Sequence, residues 1–366
     1  MKKKRLIILI AGALVLLLAA GGVYLWDLFQ KPLYEPGMLR AGQNLGAPLT
    51  PPAQPANPAD FWLVEDGIRL HHFSDGQGSN VLVIHGGPGM PFTQPVAAFQ
   101  PLSGQYRFNY YDQRGCGGST RPIQRFASQN TYQNMLELDR KLGLEAQLAD
   151  IERIRQLLGE EQLILVGHSF GGFLATLYAA EFPEHVRGLV LIAPATMLVM
   201  PFEGDDLFDA VKPLLPPEKV PAYEAYLARY FDFSNMFSLT DAELAARNNE
   251  FAQYYALAAQ AKGFDMSTND AQAAADAQAT GGWMVMGMYI SMGQRHDYRP
   301  ALKNISAPAL VLHGDLDLQR EAASRAYADL LPNARFQVIS GAGHAIFIDQ
   351  PEAFAAAVGD FFAQLK

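Results

Sequence analysis

The chain has 366 residues, 49% of them hydrophobic and 18% charged, enough apolar material for one large domain or two smaller ones. A formal net charge of −9, with no basic cluster beyond the first five residues, excludes the cationic footprint that nucleic-acid binding needs. One cysteine, Cys116, excludes a disulfide framework and a thiolate zinc site.

Lys2, Lys3, Lys4 and Arg5 precede an uncharged apolar run, Leu6 to Trp26, whose 21 residues suffice to cross a hydrocarbon core of ~30 Å. The basic flank keeps that end cytoplasmic, so residues 1–29 are expected to form a single-pass anchor with everything after Asp27 extracytoplasmic. The alternative is a signal peptide cleaved near Ala19, Ala20 and Gly21, which would release a secreted protein. Such a peptide ordinarily has an apolar region of only about 7–15 residues. No cysteine lies near the run to carry a lipid.

Residues 30–60 hold Pro32, Pro36, Pro48, Pro51, Pro52, Pro55 and Pro58 with almost no apolar periodicity. That composition predicts an extended stalk between bilayer and enzyme, or a segment that partly drapes over the globular domain. Phe61 to Phe73 reads as a hairpin turning at Asp66-Gly67. Asn80–Ile84 is a continuous apolar strand, and Tyr106–Tyr111 another, ended by the loop DQRGCGGS. Helical spacing follows at Glu145–Leu158, a strand at Leu163–Val166, a helix at Phe170–Glu181 closed by Pro183, and a strand at Val186–Ile192. Residues 195–300 break this rhythm with helical patterns and no convincing parallel strand, which predicts an all-helical cap. The alternation resumes with strand Ala309–Leu312, helix Glu321–Leu331, strand Arg335–Ile339 and helix Glu352–Leu365. Repeated strand–helix units predict a mainly parallel sheet covered on both faces, formed by 61–194 and 301–366.

Gly167-His168-Ser169-Phe170-Gly171 follows a buried strand and opens a helix, the setting that a G-x-S-x-G nucleophile elbow requires. The pattern marks an α/β-hydrolase fold with Ser169 as nucleophile and predicts an acid and then a histidine after later strands. His344, in Gly341-Ala342-Gly343-His344, is the only histidine of the last fifty residues and takes the base role. The acid has two candidates: Asp317 reaches back toward His344, whereas Asp315 is expected to hydrogen-bond within its turn. The oxyanion donors expected are the backbone N–H of Phe170 and one from His85-Gly86-Gly87-Pro88-Gly89, namely Gly87, with Gly86 beside the substrate. A serine at the elbow argues against epoxide hydrolases and dehalogenases, which need a carboxylate there. No ligand set for a metal or organic cofactor is visible, and no protein partner is evident.

HGGPG at 85–89, DQRGCGGS at 112–119 and GHSFGG at 167–172 together resemble the proline iminopeptidase branch of the α/β-hydrolases, serine peptidase family S33. The resemblance runs from about Phe61 to the C-terminus. It implies release of an N-terminal residue, often proline, from a short peptide, with acidic cap residues holding the substrate ammonium. Glu243 and Glu250, in an expected cap helix, are candidates for that contact. Residues 201–300 carry fourteen Asp and Glu against seven Lys and Arg, which would favour a cationic peptide terminus or simply form a solvated acidic surface. His168 and Phe170 depart from the Gly and Trp common around the family's serine. An esterase, lipase or lactonase on the same fold is the alternative, since a tether would hold the site near lipid-derived esters. Asp112 and Arg114 are expected to fix the loop after the fourth strand by a charge-assisted hydrogen bond rather than to contact substrate. Trp283, Met284, Met286, Met288 and Met292 are expected to pack the cap rather than line an acyl pocket. His296-Asp297 reads as a surface pair.

Overall fold

The computed structural model describes residues 30–56, 60–202, 206–263 and 279–365. The anchor expected at 1–29 lies outside them, and among the described residues no helix is long and apolar enough to cross a membrane.

Among the described residues, eight strands form one sheet: β1 (Phe61–Glu65), β2 (Ile68–Gly76), β3 (Ser79–Ile84), β4 (Tyr106–Tyr111), β5 (Leu163–His168), β6 (Val186–Ile192), β7 (Ala309–Gly314) and β8 (Ala334–Ile339). Their order is β1-β2-β4-β3-β5-β6-β7-β8. The hairpin β1–β2 joins β4 in antiparallel fashion, and every pairing from β4 to β8 is parallel. The near-continuous apolar runs of the central strands make sense once both faces are covered, because alternate side chains then enter separate cores. Leu82, Ile84, Leu163 and Leu165 join one core, while Val81, Val83, Ile164 and Val166 join the other.

The first core is filled by α1 (Thr131–Leu142), α2 (Leu144–Leu157) and α3 (Phe170–Glu181), the second largely by the C-terminal helix Pro351–Phe362. Helix α1 was not foreseen. Asn130 caps it by accepting from the Gln133 N–H, and Leu138 and Leu142 are its buried apolar side chains.

The insert between β6 and β7 is not wholly helical. Val199-Met200 pairs antiparallel with His296-Asp297, so a two-residue ribbon joins its entrance to its exit. Between them, α4 (Val220–Tyr230), α5 (Asp241–Ala261) and α6 (Trp283–Met292) carry the helical part. Tyr223, Tyr226, Tyr254 and Ala258 form a small core of its own that Leu318 of the body joins. Asp241, at the start of α5, is clamped by Arg121 at 2.6 Å and accepts from the Trp283 N–H at 2.7 Å. The insert's acidic and aromatic helices are thereby locked to the catalytic body.

Residues 30–56 do not stand away as a stalk. Tyr34 and Leu39 are buried in the first core. The Glu181 carboxylate accepts from the Tyr34 hydroxyl at 2.7 Å, the Gly37 N–H at 2.8 Å and the Arg40 N–H at 3.1 Å. Arg153 donates to the Pro48 carbonyl at 3.0 and 2.9 Å, and Gln54 exchanges two hydrogen bonds with the backbone of Leu63. The prolines prevent a regular ladder, so side chains and isolated carbonyls do the docking instead.

Candidate active site

Ser169 sits between β5 and α3 with φ 53 and ψ −120, one of three described non-glycine residues in left-handed backbone. Such a conformation is strained for an L-residue and is retained where the surrounding structure over-determines it. Here the Ser169 N–H donates to the Ile192 carbonyl, and the Ser169 carbonyl accepts from Gly172 and Ala195. The flanking glycines are sterically required. A Cβ on Gly171 would lie 2.1 Å from the Ile84 carbonyl oxygen, and one on Gly167 would lie 2.4 Å from that of Gly171. The turn therefore presses β3, β5 and α3 together and leaves the serine at the floor of a cavity.

His344 and Asp317 meet as expected from their order: the His344 Nδ1 lies 2.8 Å from Asp317 Oδ2. Asp317 is buried, and its other oxygen accepts from the Gln319 N–H at 2.9 Å. Burial alone would raise its pKa, but the facing His344 and the Gln319 N–H hold it below the usual carboxylate value. Burial likewise opposes a charged His344, yet the Asp317 charge and hydrogen bond prevail and raise its pKa above 6.5. Against expectation, the Asp315 carboxylate does not bond within its own turn, because the loop after β8 brings donors to it. It accepts from Ser340 Oγ at 2.8 Å and from the Gly341 N–H at 2.7 Å, tying the loop after β7 to the loop that carries His344.

Gly86, Gly87, Pro88 and Phe170 line the same cavity as Ser169 and His344. Gly86 has no room for a side chain, since a Cβ would fall 2.8 Å from both the His168 carbonyl and the Ser169 Cβ. Gly87, at φ 112, takes a backbone conformation that favours glycine. The loop is held from below by His85, which is buried: its Nδ1–H donates to the Gly86 carbonyl at 3.0 Å and its Nε2 accepts from the Gln113 N–H at 3.1 Å. That pair of bonds fits only the neutral ring, and burial lowers the His85 pKa accordingly. Gln113 therefore gives the DQRG loop a job that its residue types did not disclose.

His168, unusual at its position, has a similar role. Its Nε2–H donates to the His344 carbonyl at 3.1 Å, and its ring packs against those of His344 and Phe347. Burial and the neighbouring His344 push its pKa to about 3, so it is a neutral donor at any working pH. Nothing in the sequence signals this contact.

Several expectations need correction. Asp112 and Arg114 do not pair with each other. Arg114 makes a bidentate contact to Asp150, 2.6 Å on each arm, and a further one to Glu65 at 3.0 Å. Asp112 accepts instead from the Gly118 N–H at 2.8 Å and lies 3.0 Å from the His71 Nδ1. His296 is not a surface residue, because it is buried against the Met292 and Met197 carbonyls. Glu243 closes a capping box with Thr240 at the start of α5, accepting from its N–H at 2.7 Å, and Glu250 pairs with Arg229 at 2.8 Å. Neither lines the cavity. Of the Trp–Met cluster, Trp283, Met284, Met286 and Met288 pack in the core, and Met292 reaches the cavity wall.

The cavity itself holds about 1220 Å³, above the ~300–1,000 Å³ usual for small-molecule clefts. Phe208, Tyr226, Tyr230, Phe251, Tyr255 and Tyr289 give it an aromatic wall on the insert side. Tyr255 of α5 lies over the His344 ring, 6.3 Å between centroids, and Lys262 at the end of α5 donates to the Asp317 carbonyl at 2.8 Å. Among the described lining residues the carboxylates are Asp206 and Asp349. No cluster of metal-ligating side chains occurs among the described residues.

Comparison with known proteins agrees with this architecture. A proline iminopeptidase of Lactobacillus delbrueckii subsp. bulgaricus is 27% identical over 286 residues, which is 77% of this chain and 88% of that protein. Among solved structures, an esterase from Exiguobacterium antarcticum superposes with a TM-score of 0.61 at 18% identity, covering 84% of this chain and 100% of the other. The proline iminopeptidase of Mycobacterium smegmatis gives 0.52 at 19% identity, covering 81% and 97%. The family model described as alpha/beta hydrolase fold matches residues 80–351, so the chain belongs to the α/β-hydrolase family and is a hydrolase related to proline iminopeptidases.

Proposed function

We propose that this hydrolase works through Ser169, His344 and Asp317 and forms an acyl-enzyme on an ester with a large apolar acyl group. The observation that carries the reading is the strained Ser169 at the floor of an aromatic cavity that also exposes the Asp317-bonded His344. The Nδ1–H bond to Asp317 leaves the His344 Nε2 lone pair as base for the serine proton. That proton then goes to the leaving alkoxide as it departs from the tetrahedral intermediate. Water attacks the acyl-enzyme by the same route, and the serine is released. The oxyanion is received by the Phe170 and Gly87 N–H groups, each worth about 2.7–4 kcal/mol of barrier.

The acyl preference follows from the lining, which offers aromatic and aliphatic surface but few charges for a free ammonium. A second reading, release of an N-terminal residue from a peptide, is supported by the named relatives and by Asp206 and Asp349 at the cavity wall. In both readings residues 1–29 form a membrane anchor, which rests on the basic flank and the apolar run.

The full chain in detergent should hydrolyse p-nitrophenyl esters with kcat/KM rising from acetate to dodecanoate, and Ser169→Ala should abolish the activity. Turnover of prolyl-arylamides without turnover of esters would refute the ester preference. Activity that survives Ser169→Ala would refute the nucleophile.

A further inference from the structure

The first described residue of the chain, Gln30, is bonded to an exposed residue of the cavity lining. The Gln30 carbonyl accepts from the N–H groups of Gln294 at 3.0 Å and Arg295 at 2.9 Å, and Gln294 is an exposed residue of the cavity wall. Leu33 and Tyr34 donate in turn to the Ser291 carbonyl of α6. The apolar run ends at Trp26, four residues before Gln30. Four residues of extended chain span at most about 14 Å. The headgroup layer of a bilayer is itself roughly 5–8 Å deep on each side, the difference between a ~30 Å core and a ~40–45 Å total. A membrane span ending at Trp26 would therefore bring this exposed part of the lining to the lipid surface.

The rim is also apolar where it meets solvent. Phe231, Phe233 and Leu316 are 47%, 40% and 37% exposed, and all three line the cavity. Phe231 and the tethered corner belong to the same cavity lining. The Phe231 ring packs edge-on against Tyr230, Tyr230 and Tyr289 both line the cavity, and the Tyr289 carbonyl accepts from Gly293 beside Gln294. Exposed aromatic side chains are ordinary singly, but a group of them around a cavity mouth marks an interaction surface.

We propose that the mouth of this cavity rests on the membrane that holds the anchor, with Phe231 and Phe233 inserted at the interface, so that the substrate is an acyl ester drawn from the lipid phase. The inference deepens the proposed ester reading and rests on the proposed anchor. Direct entry from the bilayer spares an apolar acyl chain a passage through water, and it explains a cavity walled by aromatic side chains yet open at an apolar rim. A second copy of this chain is the competing occupant of the rim.

The test uses the full chain in phosphatidylcholine–phosphatidylglycerol vesicles. A nitroxide is attached at Phe231→Cys, Phe233→Cys or, as control, Tyr132→Cys, each combined with Cys116→Ser. Tyr132 is exposed on α1 and does not line the cavity. With the protein co-floating with vesicles, the expected result is a collision ratio of oxygen over a water-soluble nickel chelate several-fold higher at 231 and 233 than at 132. Labels at 231 and 233 as accessible to nickel as the control would overturn the proposal and leave the anchor intact. Protection from both quenchers would point to a second protein copy and also overturn it. Failure to float after an alkaline wash would refute the anchor, and the proposal with it. A second measurement does not depend on the labels. Phe231→Asp with Phe233→Asp should weaken hydrolysis of a dodecanoyl ester dissolved in vesicles several-fold more than hydrolysis of the same ester in detergent, and an equal loss in both would count against the proposal.

Discussion

Asp317→Asn is the most informative single change at the site, because the structure dictates how the new amide must orient. Asp317 Oδ1 accepts from the Gln319 N–H and Oδ2 faces the His344 Nδ1, in a buried setting. An amide that keeps its oxygen on the Gln319 N–H presents its NH₂ to Nδ1. The imidazole then carries its proton on Nε2 and cannot accept one from Ser169. Turning the amide over sets donor against donor at Gln319, which costs about 1–3 kcal/mol. The charge-assisted bond that steadies the imidazolium, worth about 1.5–3 kcal/mol, is lost in either case. Together these raise the barrier by roughly 3–6 kcal/mol, a fall in kcat of about 10²–10⁴. The assay is steady-state hydrolysis of a p-nitrophenyl ester across pH, with thermal unfolding to check that the fold persists. In the parent protein, protonating His344 removes the base. Activity should therefore fall as pH drops through a value above 6.5, the direction in which Asp317 moves the ring. Without the carboxylate that acid limb should shift to lower pH. A variant that keeps kcat within about fivefold, or an unmoved acid limb, would refute the role given to Asp317.

Two further changes test the parts around it. Gly86→Ala puts a Cβ 2.8 Å from the Ser169 Cβ, so the loop or the serine must yield by several tenths of an ångström. Misplacement on the scale of an ångström costs up to ~10² in rate. The prediction is a 10- to 100-fold loss of kcat with little change in unfolding temperature, and an unimpaired kcat would show that this glycine is not near the reacting atoms. Glu181→Ala leaves the Tyr34, Gly37 and Arg40 donors without their acceptor. A loss of about 1–3 kcal/mol in stability and faster proteolysis within 30–56 are expected, since the buried Tyr34 hydroxyl is orphaned while water can reach the Gly37 and Arg40 N–H groups. Unchanged cleavage would mean that the segment is held by something else.

The strands, the elbow turn at Ser169 and the meeting of Asp317 with His344 were legible because each depends on local pattern. Apolar runs, glycine spacing and loop position carry that information without knowledge of the tertiary neighbours. The failures are pairings at a distance. Arg114 chose Asp150, thirty-six positions away, over Asp112 two positions away, because α2 brings a buried carboxylate to both arms of the guanidinium. Residues 30–60 looked unable to fold since they lack apolar periodicity, yet Tyr34, Leu39 and one buried glutamate suffice to dock the described part. Glu243 could have been read better. Thr240 and Glu243 stand at capping-box spacing, which occupies the carboxylate before any substrate arrives. His168 had no such signal, because its partner is a carbonyl brought near only when the last loop closes.

The ribbon that pairs Val199-Met200 with His296-Asp297 has a consequence for how this scaffold diversifies. It brings the two ends of a long excursion side by side, so the chain leaves and re-enters the sheet at one place. The helices in between are not independent of the body: Arg121 holds Asp241 at one end of α5, and Lys262 at its other end donates to the Asp317 carbonyl. A change in the length or facing of α5 would thus be felt at the acid beside His344, while the ribbon keeps β6 and β7 in register.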